Sequence, residues 1–316
     1  MLKATRNQKR PAYFLQLDIR SFFMSIDKDI LFQILEKNLL QMEHQESNAL
    51  LYLLYRIIFH DCVKDYIFKG NPAMLDRVPA HKTLFKIESG KGLPIGNLTS
   101  QFFANVYLNE LDQFVKHILK CRFYIRYVDD FILISSNKEQ LDEWKTQIDT
   151  FLAERLTLEL KKSEAIKRVS EGANFLGYIV RPNYILSRKR VVNNMKYKLA
   201  LFRDKIIQDF TINGMKIKRY TLKYDTIIEL RQILASYLGH FKYANSFNLV
   251  NSLIIKNPWL SELFIFRKEK LMDRFRHQGI FRSLRSQVHF FQYIFKDQTK
   301  SEVSTRHFNA SITGHF

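Results

Sequence analysis

Three aspartates stand next to apolar segments, where carboxylates are not expected without a partner. Asp18 lies within the apolar run 13–19, and Asp129 and Asp130 separate two apolar runs in residues 123–135. A carboxylate beside a buried strand is costly unless something neutralises it, and two adjacent acids repel each other unless a cation is near. If these segments lie side by side, the carboxylates converge on a site for Mg²⁺, which prefers oxygen ligands. Two metal ions held there would suit an in-line phosphoryl displacement.

The Asp129-Asp130 pair also has a simpler interpretation, in which it does no chemistry. Aspartate is favoured in turns, so the dipeptide alone is more typical of a hairpin turn than of a metal site. The choice between the two interpretations depends on the elements that position these residues.

Hydrophobic periodicity predicts an α+β fold, with an antiparallel sheet backed by helices. Aromatic and β-branched runs predict strands, apolar residues at helical spacing predict amphipathic helices, and clustered prolines and glycines predict a loop. In chain order we predict a strand at 13–19, helices at 28–39 and 48–59, a loop at 70–96, a helix at 98–119, a hairpin at 123–135, a helix at 138–153, a strand at 156–160 and a hairpin at 175–187. After residue 190 we predict helices and no strand.

Composition excludes several classes of protein. The chain has 316 residues, of which 46% are hydrophobic, enough for a sizeable core. Its two cysteines form neither a disulfide framework nor a metal-binding spacing, which is typical of a reducing compartment. The basic start of the chain lacks the apolar core of a secretory signal, and no apolar run is long enough to span a membrane. We therefore predict a cytoplasmic protein of bacterial type, associated at most with the nucleoid, and no membrane partner.

Positive charge is concentrated in the second half of the chain. Residues 1–180 carry 25 basic and 22 acidic side chains, whereas residues 181–316 carry 25 basic and 9 acidic ones. A net charge of +19 indicates a polyanionic partner, with nucleic acid the first candidate and an anionic membrane surface the second. In residues 188–220 the cations alternate with aromatic residues, a pattern that suits phosphate contacts but also suits an ordinary solvated helix face.

The tetrapeptide Tyr-Val-Asp-Asp at 127–130, between two apolar strands, resembles the hallmark hairpin of the reverse transcriptases. The resemblance covers roughly residues 11–250. It implies catalytic carboxylates at Asp18, Asp129 and Asp130. It also implies two Mg²⁺ ions, for which Mn²⁺ can substitute, held by these carboxylates and by Ile19, whose apolar side chain leaves only its main chain as a ligand. The implied partners are an RNA template, a DNA or RNA primer and deoxynucleoside triphosphates.

Four further stretches match the family in the same order. Residues 18–23 resemble its first palm motif, which implies that Phe23 is a gate against ribonucleotides. Residues 92–101 resemble the motif that contacts nucleotide and template, and residues 160–165 resemble the motif that supplies a lysine near the departing pyrophosphate. Residues 236–245 resemble a thumb segment of the bacterial branch. The resemblance thus implies nucleotide contacts from Ile95, Gly96 and Gln101 and a catalytic role for Lys162.

The segment Phe175-Leu176-Gly177-Tyr178 resembles the hairpin that grips the primer. Each of these stretches also has a plain structural interpretation. Residues 92–101 could be an ordinary loop leading into a helix, Lys162 could be solvated surface, and residues 175–178 could be a core strand. Each motif except the Tyr-Val-Asp-Asp hairpin is weak by itself, and the ordered set favours the polymerase.

The sequence at 94–101 favours one branch of the family. Most bacterial and retroviral enzymes have Gln in the place of Ile95, followed by a motif that ends in Ser-Pro, whereas this chain ends the motif with Ser100-Gln101. Both features resemble the reverse transcriptases of diversity-generating retroelements, which copy a template-repeat RNA with errors at adenines. A small basic accessory protein is a possible partner in such elements. Group II intron and retron enzymes are the nearest alternatives.

The resemblance implies a right-hand polymerase with a palm, truncated fingers and a helical, basic thumb. We predict partial fingers and palm at 1–187, thumb at 188–296 and a disordered tail at 297–316. The fingers are expected to be truncated because only 17 residues precede Asp18. An alternative is a catalytically inactive remnant that only binds nucleic acid.

Overall fold

The chain is described here by a computed structural model. The structure describes residues 1, 3–5, 9–41, 46–162, 165–212, 215–267, 270–273, 288–294 and 305–311. It divides into two compact units, Met1–Ala173 and Asn174–Phe316. Helices and antiparallel strands are present in both units, in agreement with the predicted α+β class.

The first unit contains a four-stranded sheet and the helices that cover it. Its elements are β1 (Tyr13–Asp18), α1 (Phe22–Ser25), α2 (Lys28–Leu40), α3 (Ser47–Ile58), α4 (Leu98–Gln113), β2 (Phe123–Tyr127), β3 (Asp130–Ser135), α5 (Lys138–Leu156) and β4 (Lys167–Arg168). Short 3₁₀ turns occupy part of the predicted loop, at Pro72–Arg77, Ala80–Lys82 and Leu84–Lys86. Helix α4 continues as a single π-helical turn, Phe114–Ile118.

The sheet has the strand order β2-β3-β1-β4, and its described pairings are antiparallel. One face is apolar, because Leu15, Leu17, Phe131 and Leu133 alternate along β1 and β3 and are almost fully buried. This face belongs to a core cluster that includes buried residues of α4 and α5, such as Tyr107. The other face carries Gln16 and Asp18 beside buried apolar residues such as Ile132.

The predicted strand at 156–160 is wrong. Helix α5 extends to Leu156 and ends where Thr157 adopts a left-handed conformation with φ of 48°. Of the following residues, Leu160 forms a single antiparallel bridge with Ile19. The alternating pattern of this segment therefore covers the end of an amphipathic helix and a single bridge. Alternation over only five residues is too short to distinguish this arrangement from a strand.

The second unit combines two long helices with several hairpins. Its elements are β5 (Ala173–Phe175, across the division), β6 (Tyr178–Val180), β7 (Ile185–Ser187), α6 (Lys189–Ile206), β8 (Ile207–Ile212), β9 (Met215–Leu222), α7 (Tyr224–Phe241), α8 (Phe247–Lys256), α9 (Trp259–Leu263), β10 (Phe264–Arg267), β11 (Lys270–Asp273), β12 (Val288–Ile294) and β13 (Thr305–Ser311). A separate core is formed by one face each of α6 and α7 together with buried residues of β8, β9 and α9.

The prediction of an all-helical chain after residue 190 is wrong. Strands β8 and β9 form an antiparallel hairpin directly after α6, and β9 also pairs with β12. Charged residues in 215–222 conceal the strand pattern, although the sequence between the two strands contains Asn213-Gly214, a dipeptide favoured in hairpin turns. The helical thumb implied by the resemblance is thus a mixed unit of helices and strands.

Two predicted boundaries differ from the structure. The division falls after Ala173, before the predicted boundary at residue 187, so the hairpin at 175–187 belongs with the second unit. The tail predicted to be disordered contains Thr305–Ser311, which forms a strand paired with β12. The other residues of 297–316 lie outside the described residues. Among the described helices, none combines the length and apolar character needed to cross a membrane.

Candidate active site

The register of the first sheet brings the predicted carboxylates to one edge. Asp18, at the end of β1, lies directly opposite Asp130, the first residue of β3, and Asp130 lies opposite Tyr127. Residues opposite each other on neighbouring strands share a face of the sheet. Asp18, Asp130 and Tyr127 therefore lie on the face opposite the apolar core.

Asp129 is placed next to this pair by the hairpin turn. The turn between β2 and β3 consists of Val128 and Asp129, and Val128 has a φ of 55°. A main-chain hydrogen bond from the Ile19 nitrogen to the Asp129 oxygen, 3.2 Å long, ties the turn to the residue after β1. The sequence prediction that these three aspartates occupy one sheet edge agrees with this arrangement of the strands.

Two polar side chains already contact the carboxylates. The Lys161 ammonium donates to Asp18 Oδ2 at 2.7 Å, and the Lys161 main-chain nitrogen donates to the Asp18 carbonyl oxygen at 2.8 Å. The Gln16 amide donates to both carboxylate oxygens of Asp130, at 2.9 and 3.2 Å. Gln16 reaches Asp130 because it precedes Asp18 by two residues on β1 and so shares its face. Each contact restricts the orientation of one carboxylate.

The environment raises the pKa of both hairpin aspartates. Burial raises the pKa of Asp129, and the negative charge of Asp18 raises it further, while Lys161 opposes the shift. Burial also raises the pKa of Asp130, Gln16 opposes the shift by donating a hydrogen bond, and the charges of Asp18 and Asp129 reinforce it. Both carboxylates thus lack enough positive charge around them to offset burial and mutual repulsion.

The side chains at this edge offer oxygen donors that a divalent metal ion could bind. Among the described residues, no group of three or more His, Cys, Asp or Glu side chains is arranged as a ready-made metal site. The donors are nevertheless hard oxygens, and Asp18 Oδ1 is buried with no hydrogen-bond partner in the described part of the chain. A cation would give this oxygen a partner, and its positive charge would lower the two raised pKa values. The residues therefore fit a hard divalent ion. Of Ile19, whose side chain is fully buried, only the main-chain carbonyl could be a ligand.

The lysine in contact with the site is not the one chosen from the sequence. Both lysines are exposed, but it is Lys161 that pairs with Asp18, and its neighbour Lys162 is the predicted catalytic lysine. The motif at 160–165 contains both lysines, and the choice between them depends on a register of one residue. The main-chain hydrogen bonds beside Asp18 settle which of the two approaches it in this structure.

The residues predicted to contact the nucleotide lie on α1 and around the start of α4. Phe23 is partly buried and packs against the core, with its ring centroid 5.5 Å from that of Phe22. The Ile95 side chain is 68% exposed, so it is not a packing residue beneath its loop. Gly96 has a φ of 106°, a conformation that L side chains rarely adopt, and Gln101 is exposed on the first turn of α4. Ile95 and Gln101 are therefore accessible, and Gly96 has a backbone conformation that favours glycine.

The predicted primer-grip residues form a hairpin turn in the second unit. Leu176 and Gly177 connect β5 to β6 with φ values of 51° and 85°, both positive as in a type I′ turn. Phe175 ends β5, and Tyr178 begins β6. The Tyr178 ring stacks on His240 at 4.2 Å, and its hydroxyl donates to the His240 carbonyl oxygen at 2.8 Å. Residues 175–178 thus form a braced turn, with the Leu176 side chain 46% exposed.

A basic surface follows this hairpin on helix α6. The buried side of the helix is apolar, with Val192, Met195 and Leu199 in the core. Its exposed residues include Lys189, Arg190, Lys196, Tyr197 and Lys198. The helical spacing therefore separates apolar from basic residues, and the basic side is accessible to a polyanion.

Sequence reasoning missed several residues that support the site. Gln16 could have been found, since it alternates with Asp18 on the same strand. Lys161 lies in the motif at 160–165, but the sequence prediction assigned the catalytic role to its neighbour Lys162. The ion pair between Arg126 and Asp112, only 10% and 19% exposed, has no signal in the sequence because the two residues lie on different elements.

The chain is similar to several known proteins. The chain is 22% identical to the group II intron-encoded protein LtrA of Lactococcus lactis subsp. cremoris, over 76% of this chain and 50% of LtrA. It thus covers about half the length of that curated relative. Among solved structures, telomerase from Candida tropicalis in complex with a TWJ fragment of telomeric RNA has a TM-score of 0.42 at 13% identity, over 89% of this chain and 43% of that one. The corresponding Candida albicans telomerase complex has a TM-score of 0.37 at 13% identity, over 75% and 41% of the two chains.

A protein-family model gives the most direct match. The model of the reverse transcriptase (RNA-dependent DNA polymerase) family matches residues 2–180. This range is more than half of the chain and contains the three aspartates, the hairpin turn and both lysines. The chain therefore belongs to the reverse transcriptase family.

Proposed function

We propose that this protein synthesises DNA on an RNA template by nucleotidyl transfer. The observation that carries the proposal is the register that sets Asp18 opposite Asp130 beside the Val128-Asp129 turn, within the region that matches the family. Three carboxylates at an edge that phosphates must approach would repel nucleic acid unless cations intervene. Such an arrangement suits a phosphoryl-transfer enzyme better than a simple nucleic-acid-binding protein.

Asp18, Asp129, Asp130 and the Ile19 carbonyl would hold two Mg²⁺ ions, or Mn²⁺ in their place. Bound there, the ions would neutralise the charge on the transferred phosphate and activate the attacking primer hydroxyl. The chain itself orients the ligands, because Gln16 donates to both oxygens of Asp130 and Lys161 donates to Asp18. We further propose that Lys162, next to Lys161, contacts the departing pyrophosphate.

The nucleotide and primer are assigned to different parts of the chain. Ile95, Gly96 and Gln101 would contact the incoming deoxynucleotide and its templating base, and Phe23 would exclude a ribose 2′-hydroxyl. Residues 175–178 would hold the primer end, and the basic side of α6 would hold the phosphates of the duplex. The supporting observations are the exposure of Ile95 and of the α6 cations.

The retroelement type is part of the same proposal. Ile95 and Ser100-Gln101 favour error-prone copying of a template-repeat RNA, as in a diversity-generating retroelement, with a small basic accessory protein as a further partner. The similarity to LtrA favours a group II intron-like enzyme instead. The genomic neighbourhood separates the two, since a template repeat close to the gene is expected only in the first case.

A second candidate is a protein that binds nucleic acid without catalysis. It is favoured by the Lys161–Asp18 ion pair and by the lack of a ready-made metal group among the described residues. In this case Lys161 would permanently take the place of a metal ion beside Asp18.

Primer extension tests the proposal directly. The protein is incubated with an RNA template, an annealed DNA primer, Mg²⁺ and the four deoxynucleoside triphosphates, and the products are resolved by length. We expect template-dependent extension that stops when EDTA is added. Binding of the duplex without extension, in both Mg²⁺ and Mn²⁺, would establish the second candidate.

A further inference from the structure

Arg126 forms the most buried ion pair described in the first unit. Its Nε donates to Asp112 Oδ1 at 2.8 Å and its Nη2 donates to Asp112 Oδ2 at 2.6 Å. The two side chains are only 10% and 19% exposed. Paired N–H donors that meet both oxygens of a carboxylate fix the plane of the guanidinium group. This pairing leaves the remaining nitrogen, Nη1, at a set position and orientation.

Nη1 donates to the main-chain carbonyl oxygen of Val128 at 3.0 Å and to Asn105 Oδ1 at 3.3 Å. Asp112 also accepts a hydrogen bond of 2.8 Å from the Tyr124 hydroxyl. Helix α4, which carries Asn105 and Asp112, is thereby linked through Arg126 to the turn that presents the two hairpin aspartates. The contact is made from the core side of the sheet, because Arg126 lies opposite Phe131.

The residue held by this contact has an unfavourable conformation. Val128 has a φ of 55°, and a β-branched residue is a genuine outlier in the left-handed region. For an L residue this conformation is disfavoured by about five- to thirtyfold relative to ordinary backbone. Such conformations persist only where the surroundings impose them. Asp129 follows directly, so any relaxation of Val128 moves its carboxylate relative to Asp18.

We propose that Arg126, oriented by Asp112, is a positioning residue that holds Val128 in its left-handed conformation and thereby sets Asp129 and Asp130 in their reactive arrangement. This role rests on the proposed polymerase function, since it concerns the same carboxylates. Arg126 touches no reacting group, and it acts only through the Val128 carbonyl. A purely structural ion pair would stabilise the unit without any specific effect on the turn.

The test compares Arg126→Lys with Arg122→Lys. Lysine retains a positive charge for Asp112 but lacks the planar fork that serves Asp112 and Val128 together. Arg122 is exposed and lies just before β2, so it provides the same substitution without a contact to the turn. The measurements are the single-turnover incorporation rate, the Kd for a primer–template duplex, the melting temperature and hydrogen exchange of residues 123–135.

Arg126→Lys is expected to lower the incorporation rate about tenfold with little change in duplex Kd, and to speed exchange at the turn. The melting temperature should fall, because Asp112 loses part of its bidentate partner, but the protein should stay folded at the assay temperature. Arg122→Lys is expected to match the wild type in all four measurements. Equal rates and equal exchange for the two variants would overturn the proposal. A rate loss that follows the loss of folded protein would also overturn it.

A glycine variant separates positioning from general stabilisation. Glycine adopts positive φ without the Cβ penalty, so Val128→Gly should make the Arg126 hydrogen bond to the carbonyl oxygen of residue 128 less necessary. In the Arg126→Lys background we expect Val128→Gly to recover most of the lost rate and not to raise the melting temperature. A failure to recover any rate would contradict the assigned mechanism.

Two further arrangements keep the test decisive. If Arg126→Lys does not fold, the double change of Arg126→Gln with Asp112→Asn removes both charges and leaves no buried unpaired ion; it is expected to show the same rate loss. If the wild type extends no primer, the proposed function fails, but hydrogen exchange at the turn still tests whether Arg126 holds Val128 in place. Unchanged exchange in the double variant would then reject it.

Discussion

The two hairpin turns proposed to take part in the reaction share one backbone feature and differ in how they are held. Each carries a bulky apolar residue at positive φ, Val128 at 55° in the first unit and Leu176 at 51° in the second. The first turn is held by a charged side chain, Arg126, and by the main chain of Ile19. The second turn follows Leu176 with Gly177 and is braced by aromatic stacking of Tyr178 on His240.

The difference reflects what each turn presents. The first turn carries two carboxylates and no glycine, and its carbonyl oxygens accept hydrogen bonds from the Arg126 side chain and from the Ile19 main chain. A turn that presents only backbone and an apolar side chain can use glycine and local packing. The contrast extends to charge, because 22 of the 31 acidic residues lie in residues 1–180 and the second half carries most of the net positive charge.

The largest expected effect is at the first turn. Asp129→Asn should lower primer extension by at least about a hundredfold, the loss typical of removing one group that stabilises developing charge. Duplex binding should be unchanged or tighter, because one repulsive charge is lost. Extension assays and duplex titrations measure the two effects, and Asp142→Asn on the exposed side of α5 is the matched control. Near-normal extension by Asp129→Asn would show that the first turn does not take part in catalysis.

The next effect concerns the basic half. Replacing Lys189, Arg190 and Lys196 with Gln should lower the slope of log Kd against log salt by about 2 to 3, since each lost phosphate contact contributes about 0.9. Titrations of an RNA–DNA duplex between low and moderate salt measure the slope. Lys138→Gln, on α5 in the first unit, is the control and should leave the slope unchanged. An unaltered slope in the triple variant would place duplex binding elsewhere.

A smaller effect is expected at Ile95. Isoleucine offers an apolar surface but no hydrogen bond, whereas Gln both donates and accepts. One net hydrogen bond of roughly 0.5–1.5 kcal/mol corresponds to at most about tenfold in selectivity. Ile95→Gln should therefore lower misincorporation by up to about tenfold and affect correct incorporation less.

Error rates opposite each template base, together with a melting curve, measure this effect. Because Ile95 is 68% exposed, the substitution should not change the melting temperature. Unchanged error rates would show that Ile95 does not contact the nascent pair. Leu98→Gln, at an even more exposed apolar residue nearby, controls for the loss of apolar surface.

At the second turn we expect an effect on stability rather than on activity. At Gly177, with φ of 85°, an added Cβ would lie 3.2 Å from His240 Cε1, so Gly177→Ala should destabilise the protein by about 1–2 kcal/mol. Gly239→Ala is the matched control, because its Cβ meets nothing within 4 Å and its helix should gain about 0.5–1 kcal/mol. Thermal unfolding measures both changes, and changes of the same sign would show that the turn does not depend on glycine.

Local patterns were sufficient for most of the first sheet. The strand at 13–19, the helix at 98–119 and the hairpin at 123–135 were predicted from periodicity, and the structure contains all three, at Tyr13–Asp18, Leu98–Ile118 and Phe123–Ser135. These segments are strongly apolar and flanked by polar turns, so local preference and burial favour the same conformation. The strands after residue 206 were missed because charged residues conceal their alternation, and their burial depends on pairing with distant strands.

Residue types and their spacing thus determined the candidate groups for the proposed chemistry: three aspartates, a hairpin turn, a lysine pair and a basic second half. The tertiary structure decided which side chains control them. Lys161 rather than Lys162 reaches Asp18 across 143 positions of sequence, and Gln16 reaches Asp130 across 114. Arg126 meets Asp112 and the Val128 carbonyl only because α4 packs beneath the sheet. Contacts of this kind are set by strand register and helix packing. The alternation of apolar and polar residues in the sequence shows which face a residue lies on, but it does not specify the partner of that residue.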